Sequence, residues 1–228
     1  MTLLHVVRVF VGPDGAGGNP LGVFVEGPAI EPGHRQQVAA ELGFSETVFV
    51  DAIDNGTATA VIHTPAAELP FAGHPTVGTS WLLRNLGHDV TTLRCRAGDV
   101  AAWQDGELAW IRARPAWVAG IPEPDRLPSP ADVDAVVPPA MGEPGRYVWA
   151  WQDDGTGDVR ARFFPTHLGI AEDEATGAAA VLLGDRLGRP LTIRQGIGSV
   201  LHVRTPGNGW VEVGGRVELV EHRAYDPT

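Results

Sequence analysis

FAGHPTVGTSWLLRNLG, residues 71–87, decides the reading of this chain. Pro75 sits where a first helical turn needs no N–H, and Gly87 follows where a helix closes in a left-handed C-cap, so the spacing predicts a helix over 75–86. Val77, Gly78, Trp81 and Leu82 leave that helix without a polar face. A helix apolar all round is enclosed, and small residues on it let a surrounding sheet come close. A second helix of the same kind is expected over 175–187, rich in alanine from Ala178 to Ala180 and followed by Gly188 and Pro190. A third, over 32–42, stops at Gly43.

Around these helices, 3–11, 57–64, 100–103, 108–112, 159–163, 200–204 and 211–213 alternate as strands do. Asp54-Asn55-Gly56, Asp105-Gly106, Asp153-Asp154-Gly155 and Pro206-Gly207-Asn208-Gly209 are hairpin signals, which predict antiparallel, meander-like sheets. Seven prolines between Gly120 and Gly145 mark a connection around a short helix near 131–136. The expected class is α+β, with two pseudo-repeated domains. Residues 1–115 form a first half with central helix 75–86, and 116–228 a second with central helix 175–187. Each is a curved, mostly antiparallel sheet or barrel wrapped around its helix. The approaches to the two helices are alike, Glu68-Leu-Pro-Phe-Ala-Gly-His74-Pro-Thr76 and Glu172-Asp173-Glu174-Ala-Thr176-Gly-Ala178, which points to an internal duplication.

A net charge of −11 over 228 residues argues against nucleic-acid or anionic-membrane partners, which need a basic surface. All 17 basic residues are arginine, and the absence of lysine removes Schiff-base chemistry and the P-loop lysine. Cys95 is the single cysteine, so mechanisms that need two thiols fail. The histidines are scattered without ligand spacing, and no metal or cofactor is expected. The first residues lack a basic segment followed by an apolar core, and no apolar run reaches the length of a membrane span, so the expected location is cytoplasmic.

Were two such halves to face one another, both helix starts would point into the cleft between them. Their N–H groups and dipoles favour an anion there, and a substrate carboxylate is the natural occupant. His74 then offers a ring able to donate a hydrogen bond or shuttle a proton near neutral pH, and Asp173 an acid or base at the other helix. Glu46, within the apolar stretch Phe44–Val50, is a general base whose proton burial would hold near the working pH, although a helix N-terminus nearby would push the other way. Plainer roles stand beside these: a surface glutamate at a strand start, and a capping histidine.

Gly18-Asn19-Pro20-Leu-Gly-Val23, Phe44-Ser45-Glu46-Thr47-Val-Phe-Val50, Glu68-Leu-Pro-Phe-Ala-Gly73-His74-Pro75-Thr76, Glu172-Asp173 with Ala175-Thr176-Gly177, and Gln195-Gly196 stand in the order found in the PhzF-like phenazine biosynthesis isomerase family. The chain resembles that family over nearly its whole length. The resemblance implies the diaminopimelate epimerase-like fold with its active site between two domains. It also implies cofactor-free proton transfer on a small carboxylate-bearing molecule, as in isomerisation, epimerisation or racemisation, and a homodimer. On this resemblance Glu46 takes the place of the principal acid–base glutamate, with His74 and Asp173 lining the cleft opposite. Gly73 and Gly177 supply close backbone approach, and Asn19, Thr76, Thr176, Ala178, Gln195 and Gly215 shape the pocket. Two residues depart from the family pattern: Glu174 stands where proline is usual and Ala178 where serine is. These departures keep a rival reading open, a catalytically silent member that uses the cleft as a small-molecule or protein-binding module. A serine hydrolase on Ser45, His74 and Asp173 lacks the second glycine of the nucleophile elbow.

Overall fold

The computed structural model describes residues 1–226. In chain order its strands are β1 (Thr2–Val11), β2 (Asn19–Phe24), β3 (Glu46–Asp54), β4 (Thr57–His63), β5 (Glu68–Leu69), β6 (Thr92–Cys95), β7 (Gly98–Asp105), β8 (Leu108–Ala113), β9 (Asp125–Arg126), β10 (Arg146–Asp153), β11 (Asp158–Phe164), β12 (Leu191–Gln195), β13 (Ser199–Gly207) and β14 (Trp210–Tyr225). The helices are α1 (Arg35–Leu42), α2 (Gly73–Asn85), α3 (Pro130–Asp134) and α4 (Gly177–Leu187).

The four turn signals make the expected antiparallel hairpins, β3–β4, β7–β8, β10–β11 and β13–β14. The meander expectation fails elsewhere. Strands β2 and β3 run parallel, as do β4 and β6, β9 and β10, and β11 and β12. Parallel neighbours need a crossover, and each of the four helices is one. The order parallel pair across a helix, hairpin, parallel pair across a buried helix, then two antiparallel strands therefore occurs twice, once in β2–β8 and once in β9–β14. This repeat is the duplication that the two similar helix approaches announce.

The two copies close differently. Strands β1, β2, β3, β4, β6, β7, β8 and β14 pair in sequence, and β1 returns to β14, so a ring surrounds α2. Residues 210–225 are late in the chain, yet they complete this first ring. Around α4 the strands run from β14 through β13, β12, β11 and β10 to β9, where the pairing stops.

Small residues bring wall and helix together. A Cβ on Gly78 would stand 2.6 Å from Val9 Cγ2 and 2.7 Å from Leu21 Cδ2, and one on Gly184 would stand 2.5 Å from Val203 Cγ1. Val77, Leu82 and Leu83 of α2, and Ala179, Val181 and Leu183 of α4, are fully buried in one continuous apolar core. Each such leucine is worth about 1.5–3 kcal/mol of burial. Helix α2 begins at Gly73, two residues earlier than its proline predicts. Helix α4 begins at Gly177, two residues later than expected, because Thr176 stays extended with its hydroxyl turned to Asp173. Pro32–His34 forms a separate 3-10 turn before α1.

Candidate active site

The two buried helices meet start to start. A Cβ on Gly73 would lie 2.5 Å from the Gly177 carbonyl carbon and 2.7 Å from Ala178 N, and one on Gly177 would lie 2.9 Å from His74 N. Only glycine permits this approach, and it brings the amide-rich ends of both helices to one place. Beside it lies a cavity of about 70 Å³, lined by Glu46, Gly73, His74, Asp173, Thr176, Gly177 and Ala178, with an apolar roof that includes Phe71, Ile121, Phe163 and Leu168. Seven of the eleven residues expected to form the site are thus together.

The backbone explains the placement. Gly43, with φ of 68°, ends α1 in the left-handed region, and the chain then enters β3 with Glu46 at its first position. His74 is the second residue of α2. Asp173 forms an isolated bridge with Phe163, its amide donating to the Phe163 carbonyl at 2.9 Å.

The three ionisable groups share one environment but not one protonation state. Burial, and then the neighbouring Asp173 charge, raise the Glu46 carboxyl well above its ordinary range. Burial lifts Asp173 to about 6, against hydrogen bonds from Thr176, Asn19 and Ser45 that favour its ionised form, while the Glu174 charge adds to the lift. Burial pushes the His74 imidazole down to about 3, against a smaller opposite pull from the Pro20 backbone. The near-neutral titration expected of His74 is therefore corrected: a ring 3% exposed cannot keep a charge it cannot solvate, and His74 is neutral at physiological pH. Its Nδ1 lies 3.4 Å from Glu46 Oε2, a contact between a neutral ring and a carboxyl rather than an ion pair.

Hydrogen bonding divides the site. Asp173 is supplied from several sides, by Asn19 Nδ2 to Oδ1 at 2.8 Å, Thr176 Oγ1 to Oδ2 at 2.5 Å and Ser45 Oγ to Oδ1 at 3.3 Å. By contrast Glu46 Oε2 and His74 Nε2 are buried without any partner among the described residues. Buried polar atoms left this way are uncommon and ask for a reason.

Four expected pocket residues stand elsewhere. Thr76 is turned into its own helix, its hydroxyl donating to the Ala72 and Gly73 carbonyls at 2.9 and 2.8 Å, as a threonine in a first helical turn readily does. Asn19 and Gln195 lie behind Asp173: Asn19 also donates to the Ala175 carbonyl at 2.9 Å, and Gln195 Nε2 donates to the Asp173 carbonyl at 2.9 Å and to Thr176 Oγ1 at 2.8 Å. They hold the loop and do not face the cavity. Gly215 packs on Phe10, 2.5 Å from where its Cβ would be, and belongs to the barrel wall. Sequence reasoning missed the roof, whose residues other than Phe71 come from the proline-rich connection and the 163–170 stretch and carry no polar signature. It also missed Ser45 as a donor to Asp173. That bond turns the Ser45 hydroxyl toward Asp173 and Asn19, leaving no serine–histidine pair. Cys95 is buried in β6, where burial raises its thiol to about 12 and leaves it inert. A wider open groove of about 420 Å³ has Asp134, Arg160 and Arg194 among its lining.

A family model described as phenazine biosynthesis-like protein, PhzC-PhzF, matches residues 8–116. An uncharacterized isomerase of Pasteurella multocida is 42% identical over 81 residues, 35% of this chain and 28% of that protein. The trans-2,3-dihydro-3-hydroxyanthranilate isomerase of Pseudomonas fluorescens is 29% identical over 224 residues, 79% of this chain and 81% of that protein. A phenazine biosynthesis PhzC/PhzF protein from Clostridium difficile has the same fold at a TM-score of 0.78 and 20% identity, covering 99% of this chain and 100% of its own. The doubled sheet-around-helix frame, the match over residues 8–116 and the alignment along most of the chain agree in making this chain similar to the PhzF-like, phenazine biosynthesis-like proteins.

Proposed function

We propose that this chain, an isomerase as its named relatives are, moves a proton between two positions of a small carboxylate-bearing molecule, with Glu46 as the acid–base group and no cofactor. The observation that carries this reading is the buried, unpartnered Oε2 of Glu46 beside a cavity at two helix starts. Burial raises the proton affinity of this carboxyl, which suits a group that must take a proton from carbon and return it. In the forward step the ionised Glu46 accepts the proton of a C–H bond, and the bonding pair passes into the substrate's conjugated system. In the return step the same carboxyl gives the proton to another carbon. Atoms and electrons are conserved within the one molecule, so no oxidant or second substrate enters.

The other groups complete the site. Amides at Gly73–His74 and Gly177–Ala178 give the substrate carboxylate its docking place, each helix end contributing roughly 0.3–1 kcal/mol and more when enclosed. Neutral His74 offers Nε2 to the substrate as donor or acceptor. Asp173, held from behind, supplies a fixed second carboxyl. Residues around 119–121 and 165–170, several of them exposed, stand over this cavity where a substrate would enter.

The test is deuterium incorporation in deuterium oxide with trans-2,3-dihydro-3-hydroxyanthranilate, the compound named for the Pseudomonas relative, comparing the native chain with Glu46→Gln. The native chain is expected to catalyse exchange and the variant to lose it by about 10³-fold, near the middle of what acid–base catalysis supplies. Exchange indifferent to Glu46→Gln would sink the assignment, and tight binding without exchange would leave a binding module in its place.

A further inference from the structure

Glu174, next in sequence to Asp173 and one of the two departures from the family pattern, does not line the cavity. Its side chain turns the other way, into the turn between β12 and β13. There Ile197 N donates to both carboxylate oxygens at 3.0 and 3.1 Å, and Ser199 Oγ donates to Oε1 at 2.8 Å. Gly196, with φ of 60°, makes room, since a Cβ there would fall on the Glu174 carboxylate. Ser199 is fully buried, and its Oγ in turn accepts from Gly18 N at 2.8 Å. Gly18 precedes Asn19, whose side-chain amide donates to Asp173 Oδ1.

These contacts make a ring: Asp173 to Asn19, along the chain to Gly18, across to Ser199, across to Glu174, and along the chain back to Asp173. We infer that Glu174 is a positioning residue, whose carboxylate closes this ring and thereby fixes the Asp173 carboxyl in the cavity wall. The ring joins three separate pieces of chain: the start of β2, the loop before α4 and the turn before β13. No other side chain of the 172–176 loop reaches that turn, so without Glu174 the loop keeps Asn19 and Gln195 but loses its tie to residues 197–199.

Charge gives the arrangement a second consequence. The ionisable groups near Asp173 are Glu46 on β3, His74 on α2, Glu174 beside it in the loop, and the Arg162–Glu172 pair, joined at 2.7 Å. His74 is neutral and Arg162 is engaged with Glu172, so the Glu174 charge acts on Asp173 in the direction that retains its proton. A glutamine at 174 would keep an acceptor for Ser199 and Ile197 while removing that charge. An alanine would remove both.

This inference rests on Asp173 belonging to the active site, and its test has an arm that needs no turnover. The carboxyl carbon of Asp173, assigned by its loss in Asp173→Asn, is titrated by ¹³C NMR in the native chain, Glu174→Gln, Glu174→Ala and Ser199→Ala. Exchange on trans-2,3-dihydro-3-hydroxyanthranilate and the urea midpoint are measured for the same four proteins. In Glu174→Gln the Asp173 midpoint is expected to move down by about half a pH unit, with exchange within about threefold of native. Ser199→Ala should cost about tenfold in exchange, from a displaced carboxyl, and Glu174→Ala should combine that loss with the downward shift. Native exchange together with a native Asp173 midpoint in Ser199→Ala, which breaks the ring and keeps the Glu174 charge, overturns the inference. So does a Glu174→Ala variant that loses only urea stability while its titration and exchange match the native chain. If the native chain shows no exchange at all, the proposed function fails, while the Asp173 midpoint in Ser199→Ala, expected to move from the native value, still decides the ring.

Discussion

The two copies of the repeated unit share a frame and differ in chemistry. In the first, Leu69 bridges Ile62 of β4 four residues before Gly73. In the second, Asp173 bridges Phe163 of β11 four residues before Gly177. Where the first helix start then carries His74, the second carries Ala178. Where the first copy opens β3 with Glu46, Gly145 precedes β10 in the second. The glycines are the shared feature, because backbone-to-backbone approach of two helix starts works only if both lack a side chain. The ionisable groups are divided, so one cavity receives a glutamate and a histidine from one copy and an aspartate from the other. Duplication built the place, and divergence supplied its acids.

The division extends to satisfaction: the second copy's Asp173 is bonded from several sides, while the first copy's Glu46 and His74 each keep a buried atom without a partner. Bonded groups hold structure, and unpartnered ones are available to a ligand. Three measurements press on this contrast. Asp173→Ala leaves the Thr176 hydroxyl and one Asn19 amide hydrogen buried without an acceptor, and is expected to cost about 3 kcal/mol in urea unfolding, whereas Glu46→Gln should change stability by less than about 1 kcal/mol. Equal losses in the two variants would erase the distinction. Gly177→Ala drives a methyl against the backbone of Gly73 and His74, and about 2 kcal/mol of destabilisation is expected, with loss of exchange as the helix starts part. A variant of native stability and activity would show that the helix starts have slack.

The smallest effect is the pH dependence, in which Asp173 and His74 should contribute with opposite sign. The folded-state pKa of Asp173, about 6, lies above the ordinary value of 3.8, so its contribution is fully present below about 3.8 and is lost as pH rises through about 6. His74 is held at about 3, below the ordinary 6.5, so its contribution is present above about 6.5 and is lost as pH falls toward 3. Urea midpoints across this range should rise more steeply with pH in Asp173→Asn than in the native chain, and less steeply in His74→Gln. Matching slopes in all three proteins would mean that neither group is perturbed by burial.

Much of this frame could be read along the chain. Both buried helices announce themselves by composition and by their glycine and proline punctuation, and the hairpins by turn chemistry that acts over a few residues. The parallel pairs were not readable, since pairing across an intervening helix leaves no local period. Strand β14 extends far past the apolar 211–213, because its outer residues are exposed and do not alternate, and their pairing with β1 is a long-range event. In the site, Glu46, His74 and Asp173 could be named from their motifs, but the support given by Asn19, Gln195 and Ser45, and the inward turn of Thr76, depend on side-chain directions that no spacing reveals.

By itself the sequence determined two enclosed helices, four hairpins, a repeated plan and three ionisable residues near helix starts, because turn preferences and apolar periodicity act locally. Tertiary structure alone decided that those starts abut through glycines, that the last strand closes the first ring, and that Glu46 and Asp173 tend to hold protons while His74 stays neutral. The reason is physical: protonation and polar satisfaction depend on how much water and which partners reach an atom, and those are known only when distant segments have come together.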